Sequence, residues 1–531
     1  MKKHLCRIIF LFFFFPSPLL FAQQHKKNIM QLSFALTGSS EAKTIAAHPF
    51  RKPSIDTKLV NWIKANVSFT TQLPLSFYIP RDQRDSVYAQ MGDLNSVAGI
   101  IERMIVAEGL DIYDGAVGQM VLTMIGGKEN LEKACYPLEI YWRGYLGELQ
   151  TIRAGYPVQP FIYDPRNPLA VSSDLSRRGQ RGFIFRIINA HGRYNTRDPL
   201  DDKTVFVNFP TWPTVHWEDW KPVAGENAWV VLAALQLYHQ KYFDATSQSY
   251  KKVESSLELQ LAEELARAAL FLQSETGGIR MAPLGTYREV WEPPTNYHIE
   301  NTWWYHQIST ENNISWYAAF RMLYRITQKE IYHQAMKDIE RFFKVVWNKE
   351  ENYFYQGMTF TKKRWQANVE HFALDVQTWS IAALRPEKID SWFGEGTAYH
   401  VWQKAKHLAG AFDTKGHLLG VGYTREHDRI SVEWTAGAIL AVNEMARYYK
   451  DSYFAWSHEL RQEAQTMREG IEAFRRELSS HQAAYAYSSK RGWIPFGWNS
   501  HSPEVLSLAS TGWVIMIDNH YNPFHLHSPR H

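Results

Sequence analysis

Five pairs of amphipathic helical patterns follow one another along this chain, and a chain that repeats helix pairs has few ways to bury them. The pairs run Tyr113 to Ile125 with Leu131 to Leu146, Glu226 to Tyr238 with Leu259 to Leu272, and Glu311 to Ile326 with Ile331 to Trp347. Asp375 to Leu384 with Gly396 to Leu408, and Val432 to Tyr449 with Phe454 to Leu478, complete the series. In each pair the first member is the more apolar, as in Ala228-Trp-Val-Val-Leu-Ala-Ala-Leu, and the second carries charge along one face. A helix apolar nearly all round is buried, whereas an amphipathic one faces water, so the pairs read as inner and outer helices of repeated hairpins. Two patterns are left over, Leu94 to Ala107 and Leu506 to Ile517. If they pair with each other, six hairpins close into a ring, and closure removes the need for the capping repeats that a linear solenoid requires. The expected fold is all-α, an (α/α)6 toroid with long aromatic-rich loop insertions. An open α-solenoid is the structural alternative.

The first 22 residues stand apart. Lys2, Lys3 and Arg7 precede the apolar run Ile8 to Phe15, Pro16 and Pro18 break it, and Leu20-Phe21-Ala22 offers a cleavage site before Gln23. That is the pattern of a secretory signal peptide, too short for a bilayer span of about 20 apolar residues. Secretion or periplasmic residence is therefore expected, with no membrane attachment once the leader is gone. Residues 23–93 read as an N-terminal extension packed on the toroid, and 94–531 as the toroid itself, with insertions at 155–225 and 278–304. The net charge is +4, and the leader holds three of its basic residues. No dense Lys/Arg stripe remains, so a nucleic-acid partner is not expected. Beyond the leader only Cys135 is left, which excludes an intrachain disulfide. Its place on a helical pattern makes it a small buried hydrophobe rather than a nucleophile.

Chemistry gathers at one kind of position. Each inner pattern opens with an acidic or amide group beside an aromatic: Tyr113-Asp114, Glu226-Asn-Ala-Trp229, Glu311-Asn312-Asn-Ile-Ser-Trp316, Asp375-Val-Gln-Thr-Trp379 and Glu433-Trp434. In a toroid these helix starts share one end of the ring, which brings five carboxylates to one cavity. Any one of them has a bland explanation, because acidic residues at helix starts satisfy caps and the macrodipole. Five in register, each beside an indole or phenol, exceed what capping requires. Aromatic planes cover sugar faces while carboxylates and amides bond hydroxyls, so the expected partner is a carbohydrate. Glycoside hydrolysis needs two carboxylates of this kind, one protonated and one acting as base or nucleophile. Asp114, Glu226 and Asn312 are the expected hydroxyl ligands. Trp217, Trp229, Trp303, Trp304, Trp316, Trp379 and Trp434 are the candidate sugar platforms, with Trp229 and Trp379 equally readable as core.

The succession Gly225-Glu-Asn-Ala-Trp229, Ser309-Thr-Glu-Asn-Asn313, Leu374-Asp-Val-Gln-Thr-Trp379 and Val432-Glu-Trp-Thr-Ala-Gly437 resembles the six-hairpin glycosidase-like superfamily, in particular its less characterised secreted bacterial members. The resemblance covers roughly Tyr113 to Tyr449. It implies the toroid fold and an activity on glycans, in a superfamily that includes hydrolases, phosphorylases and lyases. It also implies catalytic acids at inner-helix starts, which favours Glu311 as general acid and Glu433 as base or nucleophile, with Asp375 and Glu226 next.

Other constellations were weighed against this one. His298, Glu300 and His306 lack the i, i+4 spacing of a helical zinc site, so no metal and no cofactor is expected. The same stretch with Tyr297 and Tyr305 fits a polysaccharide lyase, where a Tyr or His removes a proton beside a uronate carboxylate held by Arg193, Arg280 or Arg288. A non-catalytic glycan-binding envelope protein is the alternative outside enzymology. No Gly-rich phosphate loop or Gly-x-Ser-x-Gly turn occurs in the required context. Trp493, Phe496 and Trp498, near the C-terminus, read equally as cavity rim or as core.

Overall fold

The computed structural model describes residues 54–68, 71–91, 97–146, 182–184, 186–190, 217–219, 221–251, 253, 255–284, 286, 288–292, 296–300 and 302–527. The expected signal peptide, most of the 155–225 insertion and the side chains of Trp217, Tyr297, His298 and Glu300 lie outside them. No helix among the described residues is long and apolar enough to cross a membrane.

Fifteen α-helices lie among the described residues. In chain order they are α1 (Thr57–Ala65), α2 (Arg84–Gln90), α3 (Val97–Glu108), α4 (Ile112–Ile125), α5 (Lys128–Leu146), α6 (Ala224–Tyr242), α7 (Leu257–Phe271) and α8 (Thr310–Thr327). After these come α9 (Glu330–Val345), α10 (Leu374–Leu384), α11 (Pro386–Phe393), α12 (Thr397–Ala409), α13 (Val432–Tyr448), α14 (Phe454–Glu472) and α15 (Leu508–Asp518).

The apolar first members of the sequence pairs are the inner helices. α10 is buried along its whole length and α15 likewise, as residues that are apolar on every side require. The ring is closed: α4 packs on α6, α6 on α8, α8 on α10, α10 on α13, α13 on α15, and α15 back on α4. Outside stand α5, α7, α9, α12 and α14, each against its own inner helix. In α9 the buried residues Tyr332, Ala335, Met336, Ile339, Phe342 and Phe343 form one stripe at helical spacing, and its other face is charged. The six-hairpin resemblance holds at the level of fold.

The sixth hairpin corrects the expected pairing. The outer partner of α15 is α1, from the segment 23–93 taken to be an extension, and not the helix in Leu94 to Ala107. α1 buries Leu59, Val60, Trp62 and Ile63 in the main core. Its nine residues make only two and a half turns, too short for the periodicity to stand out. The 94–107 pattern is helical, as α3, but it packs across Phe77–Tyr78 and the sheet Gly109–Asp111, Ile187–Asn189, Trp217–Asp219. Phe77–Tyr78 forms a short strand antiparallel to Leu506–Ser507.

Short strands feed the inner helices from one side of the ring. Gly109–Asp111 runs into α4, Gln307–Ser309 into α8 and Leu506–Ser507 into α15. The insertion at 278–304 contributes the hairpin Arg288–Glu292 with Asn296–Glu300. The opposite end is sealed by the chain's own tail. Gln236 donates to the His525 carbonyl (2.7 Å), Arg321 to the Phe524 carbonyl (2.8 Å) and Asn522 to the Ala382 carbonyl (3.0 Å). These bonds drive the Phe524 ring into a cluster with Trp229, Trp379 and Trp513, at centroid distances of 5.4, 5.6 and 6.4 Å.

Candidate active site

Capping is performed by other residues. Asp111 caps α4 by accepting from the Tyr113 N–H, Ser309 caps α8 from Asn312, Ser431 caps α13 from Trp434, and Ser507 caps α15 from Ser510. The carboxylates Asp114, Glu226, Glu311 and Glu433, one or more residues further on, make none of these cap bonds. Asp375 bonds the next backbone N–H, Val376, at 2.7 Å. The bland reading as caps therefore fails for Asp114, Glu226, Glu311 and Glu433, while Asp375 takes a first-turn N–H of its own helix.

The amides beside them have a different task. Asn227, Asn313 and Gln377 are each the fourth residue of their inner helix, and each clamps a neighbouring backbone segment through both of its side-chain polar atoms. Asn227 accepts from Ile184 N–H and donates to Ile184 O, Asn313 does the same with Ile279, and Gln377 with Phe354. The hydroxyls of Thr435 and Thr511, at the same position of α13 and α15, accept from Val421 and Tyr485 N–H. This clamp aligns the strand entering each hairpin with the helix start beside it.

With starts aligned, the acids face one another. Burial pushes Asp114 up to about 8, and the Glu433 charge adds to the shift. Burial also raises Asp375 to about 7 and Glu433 to about 7, with Asp375 and Asp111 adding to the latter. Glu311 is pushed well above the carboxylate range by burial and then by Asp375, Glu226 and Glu433 together. Both acids accept hydrogen bonds: Ser315 Oγ donates to Glu311 Oε1 at 3.4 Å, while the Tyr113 hydroxyl donates to Glu433 Oε1 and in turn accepts from Trp513 Nε1 at 2.8 Å. A donor on the charged form favours ionisation, so Tyr113 opposes the shift in Glu433.

Sequence reasoning missed three members of this site. Asp111 is raised by burial and by Glu226 and Asp114. Arg186, from the 155–225 insertion, pairs with Glu226 (3.2 Å) and lies 3.9 Å from Asp111. Tyr113 was visible as the aromatic beside Asp114, but its bond to Glu433 spans most of the ring's sequence. The expected ligand Asn312 is present: its amide, in the orientation that satisfies both groups, accepts from Gly225 N–H (3.3 Å) and donates to Glu311 Oε2 (2.5 Å). A Cβ at Gly225 would lie 2.2 Å from the Asn312 amide atom that bonds Glu311, so a side chain there would displace that amide.

Most of the expected sugar platforms are core. Trp229 is 1% exposed, and Trp316, Trp379 and Trp434 are buried as well. Trp229, Trp379 and Trp513 plug the axis of the ring, with Trp379 and Trp513 stacked at 5.7 Å. Trp316 Nε1 donates to the Ala224 carbonyl between α6 and α8. Trp229, Trp379 and Trp513 lie beneath the acids, because each is the sixth residue of its inner helix, a turn deeper than the helix start. Trp303 and Trp304 are partly exposed and meet edge to face at 4.9 Å, with the Arg288 guanidinium 4.2 Å above Trp303.

The remaining candidates resolve simply. Arg280 lies over Tyr305 (4.2 Å) and Trp365 (4.9 Å). Among the described residues no group of three ligand side chains forms a metal site. Burial pushes the Cys135 thiol up to about 12, which leaves it without nucleophilic character.

No known family model and no curated protein matches the sequence. Among solved structures the chain is similar to a sugar epimerase from a ruminal bacterium, with 10% identity, TM-score 0.49, and 87% of this chain and 95% of that one covered. It is similar to a cellobiose 2-epimerase from Spirochaeta thermophila, with 12% identity, TM-score 0.49, and coverage of 95% and 98%. It is also similar to an inactive α-1,6-mannanase variant from a Salegentibacter species in complex with α-1,6-mannotriose, with 13% identity, TM-score 0.37, and coverage of 57% and 76%.

Proposed function

We propose that this chain is a carbohydrate-active enzyme, a glycoside hydrolase in which Glu311 is the general acid and Glu433 the base or nucleophile. The observation that carries the reading is the unequal environment of two carboxylates at one end of the ring. Glu311 is raised well above the carboxylate range by burial and the charges of Asp375, Glu226 and Glu433, whereas Glu433, raised to about 7, accepts a phenol hydrogen bond that favours its charge. Hydrolysis needs that division of roles. Glu311 gives its proton to the glycosidic oxygen as the bond to the anomeric carbon breaks. Glu433 either takes a proton from the attacking water or bonds the anomeric carbon until water releases it. One water is consumed per bond. Asp375, Asp114 and the Arg186–Glu226 pair are placed to bond sugar hydroxyls.

A lyase reading fits less well. A uronate carboxylate would enter a cavity holding Asp111, Asp114, Glu226, Glu311, Asp375 and Glu433 against Arg186. Arg280 and Arg288 already lie against indole or phenol rings, and Arg193 is outside the described residues.

The test is reducing-end release from mannan, xylan, mixed-linkage β-glucan, starch and pectin, with unsaturated-uronate absorbance read in parallel. Reducing ends without that absorbance are expected from at least one polymer. Glu311→Gln and Glu433→Gln should each lower kcat/KM by roughly 10²–10⁴-fold. Full activity in either variant removes that residue from the mechanism. The reading places the enzyme outside the cytoplasm, and protein recovered from the periplasm or medium should begin at Gln23.

A further inference from the structure

Next to Glu433 a row of aromatic rings runs from the buried Trp434 outward to solvent. Trp434, the residue after Glu433, lies with its ring plane 17° from that of Phe496 at a centroid distance of 6.3 Å. Phe496 is 6.0 Å from Trp498. Both belong to a projecting hairpin, Gly492–Ile494 paired with Trp498–Ser500. The hairpin is fastened to the catalytic helix start by Tyr487: the Tyr487 carbonyl accepts from Val432 N–H at 3.3 Å, and the Tyr487 hydroxyl accepts from Trp498 Nε1 at 3.0 Å. The Tyr487 phenol is near enough to Glu433 and Asp114 for their charges to act on it.

Strand alternation separates the two indoles of the hairpin. Trp498 is opposite Ile494, which is buried, so that pair shares the inward face. Trp493 is opposite Asn499 on the outward face and is 61% exposed. Trp498 is thus fixed by its Nε1 bond and still 36% exposed. An indole pinned at its polar edge with accessible ring surface is an apolar plane held in one orientation. A pyranose ring, whose axial C–H groups make one face apolar, fits such a plane.

We propose that Trp498, backed by Phe496, is a sugar-binding subsite that holds a pyranose unit of a glycan chain extending out of the acidic cavity past Glu433. The occupant follows from continuity: the aromatic track begins at Trp434 beside the proposed base and ends in solvent. The inference rests on the carbohydrate reading above and deepens it, because a platform outside the cavity serves chains longer than the two units that straddle the cleaved bond. Trp493 faces away and takes no part.

The experiment is affinity electrophoresis of the Glu311→Gln protein through gels cast with mannan, xylan, mixed-linkage β-glucan or starch. Retardation in at least one gel is expected. Adding Trp498→Ala should weaken the dissociation constant at least tenfold, Trp498→Phe should restore most of it, and Trp493→Ala should leave it unchanged. Trp498→Phe keeps an aromatic plane and loses the bond to Tyr487, so failure of Phe to rescue assigns Trp498 a structural role and overturns the proposal. Equal retardation of Trp498→Ala, or no retardation in any gel, overturns it too. So does a parent that elutes as a dimer, becomes monomeric on Trp498→Ala and keeps its retardation, since the hairpin then contacts a second copy. The two readings separate cleanly. Retardation without reducing-end release by the unsubstituted enzyme sinks the hydrolase reading and leaves the subsite. Hydrolysis lost in Glu311→Gln, with retardation intact in Trp498→Ala, does the reverse.

Discussion

Glu433 and Asp375 hold protons in the folded chain at pH values where the unfolded chain would release them. Their folded pKa values of about 7 stand above ordinary values of 4.5 and 3.8. The native state therefore binds more protons between those limits. The stability these groups contribute is complete below pH 4 and is lost as pH rises through about 7. Calorimetry should find Tm falling between about pH 4 and pH 7. Glu433→Gln and Asp375→Asn, which remove the ionisation, should each raise stability at pH 8 by up to about 3–4 kcal/mol and flatten that slope. An unchanged slope in the double variant would show that the acids are not strained. Tyr113 acts in the opposite sense, since its hydroxyl favours ionised Glu433. In Tyr113→Phe the acid limb of the kcat/KM profile should move up by about 0.5–1 pH unit, with the alkaline limb unmoved. A uniform loss of activity without a shifted limb would make Tyr113 a packing residue only.

The helix-start motifs divide into two halves with different work. In Glu-Asn and Asp-Val-Gln the carboxylate faces the cavity, and the amide bonds a backbone segment entering the hairpin. Sequence reading saw both halves as one sugar-binding pattern, because a polar residue one or two places from an acid looks like part of the same site. The amides are buried and satisfied, so they are fold determinants. Asn313→Leu would leave Ile279 N–H and C=O and the Ser309 carbonyl without this partner. It should cost about 3 kcal/mol or more in urea unfolding, as unsatisfied buried backbone groups do. A loss under about 1 kcal/mol would show that the segment finds other partners. Caps follow the same division: serines and Asp111 take the orphan N–H groups, which leaves the glutamates available for chemistry.

At the scale of the molecule, the ring is completed by two ends far apart in sequence. α1 buries Trp62 against the core while Asp56 and Lys58 pair with Arg475 and Glu477. Apolar burial should dominate, since partly exposed ion pairs contribute about 0–1 kcal/mol and a buried tryptophan truncated to alanine costs about 3–5 kcal/mol. Trp62→Ala should therefore lower the unfolding midpoint several times more than Arg475→Ala. Equal effects would mean that charge, and not the core, holds the ring shut. The tail from Asn519 onward closes the other end, with Phe524 against the indole cluster. Among the described residues the tail fills the end opposite the acids, and the hairpin bearing Trp498 stands on the acid side.

Local composition determined the helices, their sorting into inner and outer rows and the register of acids at the inner starts, because burial on all sides or on one is written in residue spacing. Repeated helical hairpins follow from those three facts, and an open solenoid fits them as well as a closed ring. What the tertiary structure alone decided is which residues at the helix starts meet. A nine-residue helix closes the ring, an arginine from an insertion pairs with Glu226, and Tyr113 bonds an acid on a helix far along the chain. Only depth in the ring sorted the tryptophans: Trp229, Trp316, Trp379 and Trp434 went to the core, and Trp498 stayed within reach of solvent. Periodicity tells which side of a helix is apolar. It does not tell how far that side lies from the axis of a ring, and that distance separates a floor from a binding surface.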